Sequence, residues 1–313
     1  MQQAQCAGAV LMVRPAAFDY NPQTAGTNSL QRRADGPSAA VQQLARDEFE
    51  RVVRSLRSEG VRVCVVEDTP EPPKPDALFP NNWVSFHADG TVVLYPLQAE
   101  NRRAERRREI IDRVAKELGF PVRRTLDLTY LEAEGRYLEG TGSLVLDHEQ
   151  RIAYACRSPR THEEALGEWS RQMGYEPVLF SAAGRDGKPL YHTNVLMCIG
   201  ARCAIVGAQS IVPSDRERVL QRLRGSGREV IEVGPEAIEG FAGNALELAS
   251  WDEALGDCNV LVMSTTARAA LGTQVFARLA ACTDNVLAVP LPTIERVGGG
   301  GIRCMLAEVF SPP

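Results

Sequence analysis

Four consecutive glycines stand close to a cysteine near the C-terminal end of the chain, in the segment Gly298-Gly299-Gly300-Gly301-Ile302-Arg303-Cys304. Consecutive glycines cost backbone entropy on folding, and they are typical of places where the backbone must approach a ligand closely. We therefore interpret Cys304 as a candidate nucleophile. A cysteine needs a base and an orienting carboxylate beside it before it does chemistry. The alternative is a flexible hairpin loop with an inert thiol.

A histidine and a glutamate elsewhere in the chain could supply the base and the carboxylate. His192 is the only one of the four histidines that leads into an apolar run, which starts at Thr193. Glu139 stands directly before Gly140 at the entrance of another apolar run. The ordinary interpretation of His192 is a structural histidine whose hydrogen bonds are made within the fold, and that of Glu139 is a solvated carboxylate at a strand end. A functional interpretation is supported by the shared position of the three residues: Cys304, His192 and Glu139 all stand at or near the start of a strand-like run.

One pattern of elements recurs along the chain: an apolar strand, a tight polar turn, a second apolar strand, a helix and a third strand. It is clearest over residues 82–96, where the turn Ala88-Asp89-Gly90 is a strong hairpin signal. The first strands of successive copies begin near residues 82, 142, 193 and 244. A spacing of about 50–60 residues indicates a repeated supersecondary unit. In the first copy we expect one helix over residues 102–118, with a solvated face formed by its arginines, Arg102, Arg103, Arg106, Arg107 and Arg108. Arg102, at the start of this helix, is close enough to the candidate site to touch a carboxylate.

A fifth copy is obtained if the last strand, expected over residues 303–310, pairs with the first, expected over residues 9–13. A helix over residues 39–56 and a strand over residues 61–66 would complete it. The chain would then close into a ring through its two ends. We predict an α/β fold, a five-bladed pseudo-symmetric αβ propeller of ββαβ units that forms one domain over residues 1–313. A two-domain parallel α/β protein is the structural alternative.

Composition bounds the class of protein. Lys plus Arg number 35 against 40 for Asp plus Glu, so the net charge is −5, which argues against a nucleic-acid or anionic-membrane surface. The eight cysteines show neither CxxC pairs nor metal-ligand spacing, so we expect reduced thiols, no metal and a cytoplasmic protein. The N-terminal apolar run over residues 7–13 has no basic region before it and ends at Arg14, so we expect no signal peptide, and no later run approaches the length of a membrane span.

The sequence resembles the guanidine-modifying superfamily of arginine deiminases, dimethylargininases and amidinotransferases, and most closely its citrulline-hydrolysing branch. The matching segments cover nearly the whole chain and lie at residues 12–15, 18–24, 76–83, 138–146, 158–161, 191–195, 243–244 and 298–310. The resemblance implies the five-bladed αβ propeller known as a pentein. It also implies a Cys, His and carboxylate set that works without metal or cofactor, and this set carries over to Cys304, His192 and Glu139.

Two departures from the deiminase pattern bear on the substrate. Asn82 and Asn194 occupy positions where the resemblance places aspartates in deiminases. A buried guanidinium cation requires carboxylates, since an unpaired buried charge costs several kcal/mol. A neutral ureido group instead offers a carbonyl acceptor and amide donors, which asparagine can match. Both residues therefore favour citrulline over arginine, unless they only cap turns.

The resemblance places two further residues at the amino-acid end of the substrate. Arg160 stands in a motif that the family uses for the α-carboxylate, and Asp76 is placed to hold the α-amino group. A guanidinium can pair with a carboxylate through two parallel hydrogen bonds. Ordinary ion pairing at strand ends is the alternative interpretation of both residues.

We therefore expect a cysteine-dependent hydrolase that cleaves the ureido C–N bond of citrulline to ornithine, carbon dioxide and ammonia through an S-carbamoyl intermediate. The expected partner is a small-molecule substrate, without nucleic acid, membrane or cofactor, and a homodimer is one option for the assembly. The runner-up is an arginine deiminase, dimethylargininase or amidinotransferase acting on a guanidino substrate. From another class, the same propeller occurs in a ribosome-associated initiation factor, which binds without a nucleophile.

Overall fold

The computed structural model describes residues 4–252 and 256–310 of the chain. These ranges contain fifteen β-strands, most of them short. In chain order they are β1 Ala9–Arg14, β2 Arg62–Glu67, β3 Val84–Phe86, β4 Thr91–Leu94, β5 Arg124–Asp127, β6 Leu144–Asp147, β7 Ile152–Cys156, β8 Glu176–Phe180, β9 Met197–Ile199, β10 Cys203–Val206, β11 Glu229–Glu232, β12 Leu246–Asp252, β13 Gly256–Ser264, β14 Asn285–Val289 and β15 Ala307–Val309.

Ten α-helices lie between these strands within the same ranges, and several are single turns. They are α1 Pro22–Ala25, α2 Ser38–Ser58, α3 Glu100–Arg103, α4 Arg108–Leu118, α5 Gly140–Ser143, α6 Glu163–Met173, α7 Thr193–Leu196, α8 Pro213–Arg224, α9 Pro235–Glu239 and α10 Thr265–Ala281. None of the helices in this part of the chain is long and apolar enough to cross a membrane.

The strands form five three-stranded units of one topology. In each unit the first strand pairs antiparallel with the second, and the third pairs parallel with the second. The units are β3-β4-β5, β6-β7-β8, β9-β10-β11, β12-β13-β14 and β15-β1-β2. The α/β class and the recurring unit predicted from the sequence are therefore confirmed.

The last unit joins the two ends of the described chain. β15 pairs antiparallel with β1, with Ala9 opposite Val309, and β1 pairs parallel with β2. One further pairing, between Val309 and Phe86, connects this unit to β3 and makes a six-stranded sheet. The predicted pairing of the last strand with the first is confirmed.

Five amphipathic helices connect the parallel strands of the five units, because a parallel pair requires a crossover. They are α2, α4, α6, α8 and α10. In α6 the buried side chains include Leu166, Trp169 and Met173, a helical spacing that packs one face on the sheet. Buried side chains of α2, among them Phe49, share a core cluster with Met12 of β1 and with Cys304. The core thus fixes the backbone that carries the candidate nucleophile.

The predicted first strands begin too early in the chain. Strands were expected from residues 142, 193 and 303, but α5, α7 and a 3₁₀ turn over Ile302–Met305 precede β6, β9 and β15. A 3₁₀ turn over Pro80–Asn82 likewise precedes β3. These turns are as buried as the strands that follow and run directly into them, so the start of a buried run does not mark the start of the strand.

The prediction of one solvated helix over residues 102–118 is also wrong. The chain forms α3, then an extended link, then α4, and the Arg102 side chain is only 2% exposed. Arg102 instead pairs with buried Glu105, and Arg106 pairs with Glu132. Two arginines of the charged run are therefore paired rather than solvated: Arg102 with Glu105 of the same run, and Arg106 with Glu132 of a later turn. The predicted run over residues 244–264 also contains residues 253–255, which lie outside the described residues.

Candidate active site

The tight turns before the first strands of the units carry polar side chains to a common region. Asn82 ends the 3₁₀ turn before β3, Glu139 and His192 directly precede α5 and α7, and Cys304 lies in the turn before β15. Asn244 occupies the equivalent place before β12, where its backbone N–H donates to Phe241 O at 2.8 Å. All five side chains are buried.

A small cavity lies at this region. Its lining includes five of the residues expected from the sequence, namely Asp76, Asn82, Arg160, His192 and Cys304. The cavity is also lined by Arg102 and by Gly298 and Gly300 of the glycine run. The structure therefore brings together residues that are more than 200 positions apart in the chain.

His192 and Glu139 form a buried hydrogen-bonded pair. His192 Nε2 lies 2.8 Å from Glu139 Oε2, and Arg160 Nη1 lies 3.4 Å from the same oxygen. Burial lowers the pKa of His192 to about 4, although the hydrogen bond that the imidazole donates to Glu139 acts in the opposite direction. Burial raises the pKa of Glu139, but Arg160 and His192 outweigh it and bring that pKa down to about 2. At neutral pH the pair is thus an ionised carboxylate and a neutral imidazole, which can accept a proton.

The sulfur of Cys304 is surrounded by side-chain amides. Asn244 Nδ2 lies 3.3 Å from the sulfur and Asn194 Nδ2 lies 3.5 Å from it. Burial raises the pKa of the thiol, and these hydrogen bonds oppose the rise. No hydrogen bond joins Cys304 to His192 within the described residues, although both line the same cavity. The thiol and the imidazole therefore face a shared space in which a ligand could contact both.

The glycine run packs tightly against neighbouring side chains. A Cβ on Gly298 would meet the Phe79 ring at 2.8 Å, and Gly299 has φ 63°, in the left-handed region. Two carbonyl groups of the run are held in place, since Asn28 Nδ2 donates to Gly298 O at 3.2 Å and Tyr191 donates its hydroxyl to Gly299 O at 2.5 Å. Gly298 and Gly300 line the cavity as expected, and the side chain that Gly298 approaches closely is the Phe79 ring.

Asp76 retains one unpartnered carboxylate oxygen. Oδ2 accepts hydrogen bonds from Asn21 at 2.7 Å and from Thr24 at 3.3 Å. Oδ1 is buried and has no hydrogen-bond partner among the described residues. A buried carboxylate oxygen without a partner costs folding free energy, and a ligand that supplies a hydrogen-bond donor would remove this cost.

Arg160 is held by the segment that contains α1. Its Nη2 donates to Thr24 O at 2.9 Å and to Thr27 Oγ1 at 2.7 Å. The guanidinium also lies over the Tyr191 ring, 5.1 Å from its centroid. Residues 21–28 therefore cover the cavity and contact the two side chains expected at the amino-acid end of the substrate.

Sequence reasoning placed some site residues differently and missed others. Asn194, expected to contact substrate, lies against the Cys304 sulfur and is not in the cavity lining, so its contact with substrate stays a prediction. Asn244 was missed, although the phase of the repeat places it at the start of the fourth unit. Arg102 was assigned to a solvated face, with the reservation that it begins close enough to the site to touch a carboxylate, and in the structure it pairs with Glu105. Among residues 4–252 and 256–310, no group of three or more His, Cys, Asp or Glu side chains could hold a metal ion.

A family model described as N,N dimethylarginine dimethylhydrolase, eukaryotic, matches residues 14–311. The chain belongs to this family. Membership of the guanidine-modifying superfamily, expected from the sequence, is thereby confirmed. This family member is a hydrolase that acts on C–N bonds other than peptide bonds. Comparison with curated protein sequences gave no match.

Several solved structures share the fold of this family member. The N-terminal domain of ArgZ, an arginine dihydrolase from the ornithine-ammonia cycle in cyanobacteria, has a TM-score of 0.71 and 18% identity, with 97% of this chain and 98% of that chain covered. AgrE in complex with ornithine and NAD⁺ has a TM-score of 0.72 and 17% identity, covering 97% of this chain and 40% of that chain. DDAH from Pseudomonas aeruginosa in complex with citrulline has a TM-score of 0.66 and 14% identity, with 97% and 99% covered. At these identities the likeness shows the fold.

Proposed function

We propose that the protein hydrolyses citrulline to ornithine, carbon dioxide and ammonia. One observation carries the proposal: the side chains around the sulfur of Cys304 are amides. Asn244 and Asn194 contact the sulfur, and Asn82 lines the cavity beside it. Directly around the sulfur a guanidinium cation would meet amides and no carboxylate, whereas a neutral ureido group finds donors and acceptors there.

The reaction begins with transfer of the Cys304 proton to His192, whose low pKa leaves it neutral and able to accept. The thiolate attacks the ureido carbon, a C–S bond forms, and the bond from that carbon to the side-chain nitrogen of ornithine breaks. His192 returns the proton to the departing amine. Water, activated by His192, then cleaves the C–S bond of the S-carbamoyl group, and the carbamate decomposes to carbon dioxide and ammonia. Glu139 orients His192 through its 2.8 Å hydrogen bond and stabilises the imidazolium.

Asp76 and Arg160 would bind the amino-acid end of the substrate. The unpartnered Oδ1 of Asp76 suits an α-ammonium group, which supplies the donor that this oxygen lacks. Arg160 suits the α-carboxylate, in place of the hydroxyl of Thr27 that now accepts from it. Segment 21–28 must therefore exchange contacts as substrate enters.

A second candidate is hydrolysis of a guanidino substrate such as arginine or a methylated arginine. The ionised Glu139 carboxylate favours it, because a carboxylate next to the reacting group would attract a cation. The description of the matched family names dimethylarginine as the substrate, and ArgZ is an arginine dihydrolase. Deiminase and amidinotransferase chemistry would use the same nucleophile with a different leaving group or acceptor.

The decisive experiment incubates the purified protein separately with citrulline, arginine and N,N-dimethylarginine, with Cys304→Ala as the control. Ornithine and ammonia released from citrulline, with a kcat/KM at least about tenfold above that for arginine, would support the proposal. Citrulline accumulating from arginine or dimethylarginine would refute it. Turnover of citrulline by Cys304→Ala would refute the covalent mechanism.

We also infer that the five three-stranded units are the blades of one propeller, forming a single cytoplasmic domain without a cofactor. The shared topology of the units and the pairing of the chain ends support the inference. Residues 1–3, 253–255 and 311–313 of this domain lie outside the described residues. One cooperative unfolding transition seen by two probes would support a single domain, and two separate transitions would refute it. Light scattering would show whether copies pair as a homodimer.

A further inference from the structure

A chain of buried polar side chains runs from Glu105 to the cavity. Arg102 donates from Nε and Nη2 to the two carboxylate oxygens of Glu105, each at 2.9 Å. Its remaining terminal nitrogen, Nη1, donates to Asn82 Oδ1 at 2.6 Å. Arg102 and Glu105 are 2% and 3% exposed, so bulk water does not compete for these bonds. The guanidinium is thus held from one side and points its last donor at the asparagine.

This contact fixes which end of the Asn82 amide faces which way. A guanidinium has donors and no acceptor, so the amide atom that faces Arg102 must be the oxygen. The nitrogen end is fixed as well, since Asn82 Nδ2 donates to Asn81 Oδ1 at 3.1 Å. Asn81 in turn donates from Nδ2 to Thr141 Oγ1 at 3.3 Å. Reversing the Asn82 amide would break both of its hydrogen bonds.

The fixed amide presents an N–H donor next to the catalytic imidazole. A Cβ placed on Gly142 would lie 2.5 Å from Asn82 Nδ2 and 2.8 Å from His192 Nδ1, so the two side chains meet at this glycine. One N–H of the amide is used by Asn81, and the other has no acceptor among the described residues. Asn82 and His192 both line the cavity, which makes the remaining N–H available to a ligand.

We propose that Arg102, held by Glu105, is a positioning residue that makes the site select a carbonyl-bearing ureido group over a guanidinium group. The inference rests on the proposed function and names how its substrate is chosen. A ureido oxygen can accept from the free N–H of Asn82. The nitrogens of a guanidinium are all donors, so this group would meet the N–H of Asn82 with another donor and gain no hydrogen bond there.

The experiment measures kcat/KM for citrulline and for arginine with wild type, Arg102→Gln and Arg102→Lys. Glutamine can donate or accept, so it leaves the Asn82 amide free to reverse, whereas lysine still only donates. We expect the citrulline-to-arginine ratio to fall about tenfold or more in Arg102→Gln and to be largely kept in Arg102→Lys. Arg106→Gln is the matched control, because Arg106 pairs with Glu132 and is not in the cavity lining.

An unchanged ratio in Arg102→Gln, with both substrates slowed alike, would overturn the inference, because it would mean that Arg102 acts on a group common to both substrates. Failure of the proposed function looks different, since wild type would then release no ornithine from citrulline. In that case, or if slow turnover prevents measurement, calorimetry on Cys304→Ala with and without Arg102→Gln gives the ratio of Kd values for the two amino acids. A ratio that does not move between these two proteins overturns the inference, and a shift toward arginine supports it.

Discussion

The side-chain nitrogen of Asn244 lies 3.3 Å from the sulfur of Cys304, and the same nitrogen lies 3.0 Å from the backbone oxygen of Asn194. Asn244 Oδ1 accepts from the backbone N–H of Arg303 at 3.2 Å. The amide therefore bridges the turns of two other units and reaches the thiol with a donor. A donor at this place stabilises a thiolate more than a thiol.

Replacing Asn244 by Asp tests the role of this donor. The carboxylate keeps the acceptor for Arg303, but it puts negative charge beside the sulfur and the Asn194 carbonyl. We expect the pKa of the Cys304 thiol to rise further and alkylation of Cys304 by iodoacetamide to slow about tenfold for each unit of that rise. Mass spectrometry of the Cys304 peptide measures the rate. Asn285→Asp, at an exposed position, should leave it unchanged.

The pH dependence of the same alkylation tests the protonation state of the unliganded site. Because burial raises the pKa of Cys304, the thiol is the dominant form at pH 7 and the thiolate forms as pH increases. We expect the alkylation rate to increase about tenfold per pH unit between roughly pH 7 and 9. A rate that is already constant below pH 7 would show a resident thiolate–imidazolium pair and contradict this protonation state.

His192 should make stability depend on pH. The unfolded chain protonates this imidazole near its ordinary pKa of 6.5, whereas the folded protein does so only near 4. The unfolded state therefore binds more protons between these values, and stability is lost as pH falls through that window, by roughly 3 kcal/mol in all. Urea unfolding from pH 7 to 4.5 should show a steeper loss in wild type than in His192→Gln. Buried His87 and His148 have lowered pKa values too, but they are common to both proteins.

Gly142 should not tolerate a side chain. A methyl group there would meet Asn82 at 2.5 Å and His192 at 2.8 Å, so Gly142→Ala must displace one or both. We expect turnover to fall by about a hundredfold or more, since displacement by about 1 Å at a reacting centre has that effect. Gly167→Ala is the control, because Gly167 lies in α6 with open space around it, and it should raise stability by about 0.5–1 kcal/mol. Full activity in Gly142→Ala would show that His192 and Asn82 need not keep their positions.

Local patterns in the sequence were sufficient for much of this architecture. Hairpin turns and apolar runs depend on neighbouring residues, and they predicted the recurring unit and the pairing of residues 9–13 with the last strand. The same patterns did not locate the tight turns before β6, β9 and β15. A buried helical turn and the buried strand that follows it form one continuous buried run, so the boundary between them is decided by packing.

The sequence by itself determined the family, the repeated unit and the candidate set of Cys304, His192 and Glu139, since these follow from residue types, spacing and resemblance. Tertiary structure alone decided that Asn244 contacts the thiol, that Asn194 lies against the sulfur, and that Arg102 is buried. Whether a charged or amide side chain is buried depends on the partners that the folded backbone places beside it. For Arg102 those partners are Glu105 and Asn82, and their hydrogen bonds offset the cost of removing the guanidinium from water.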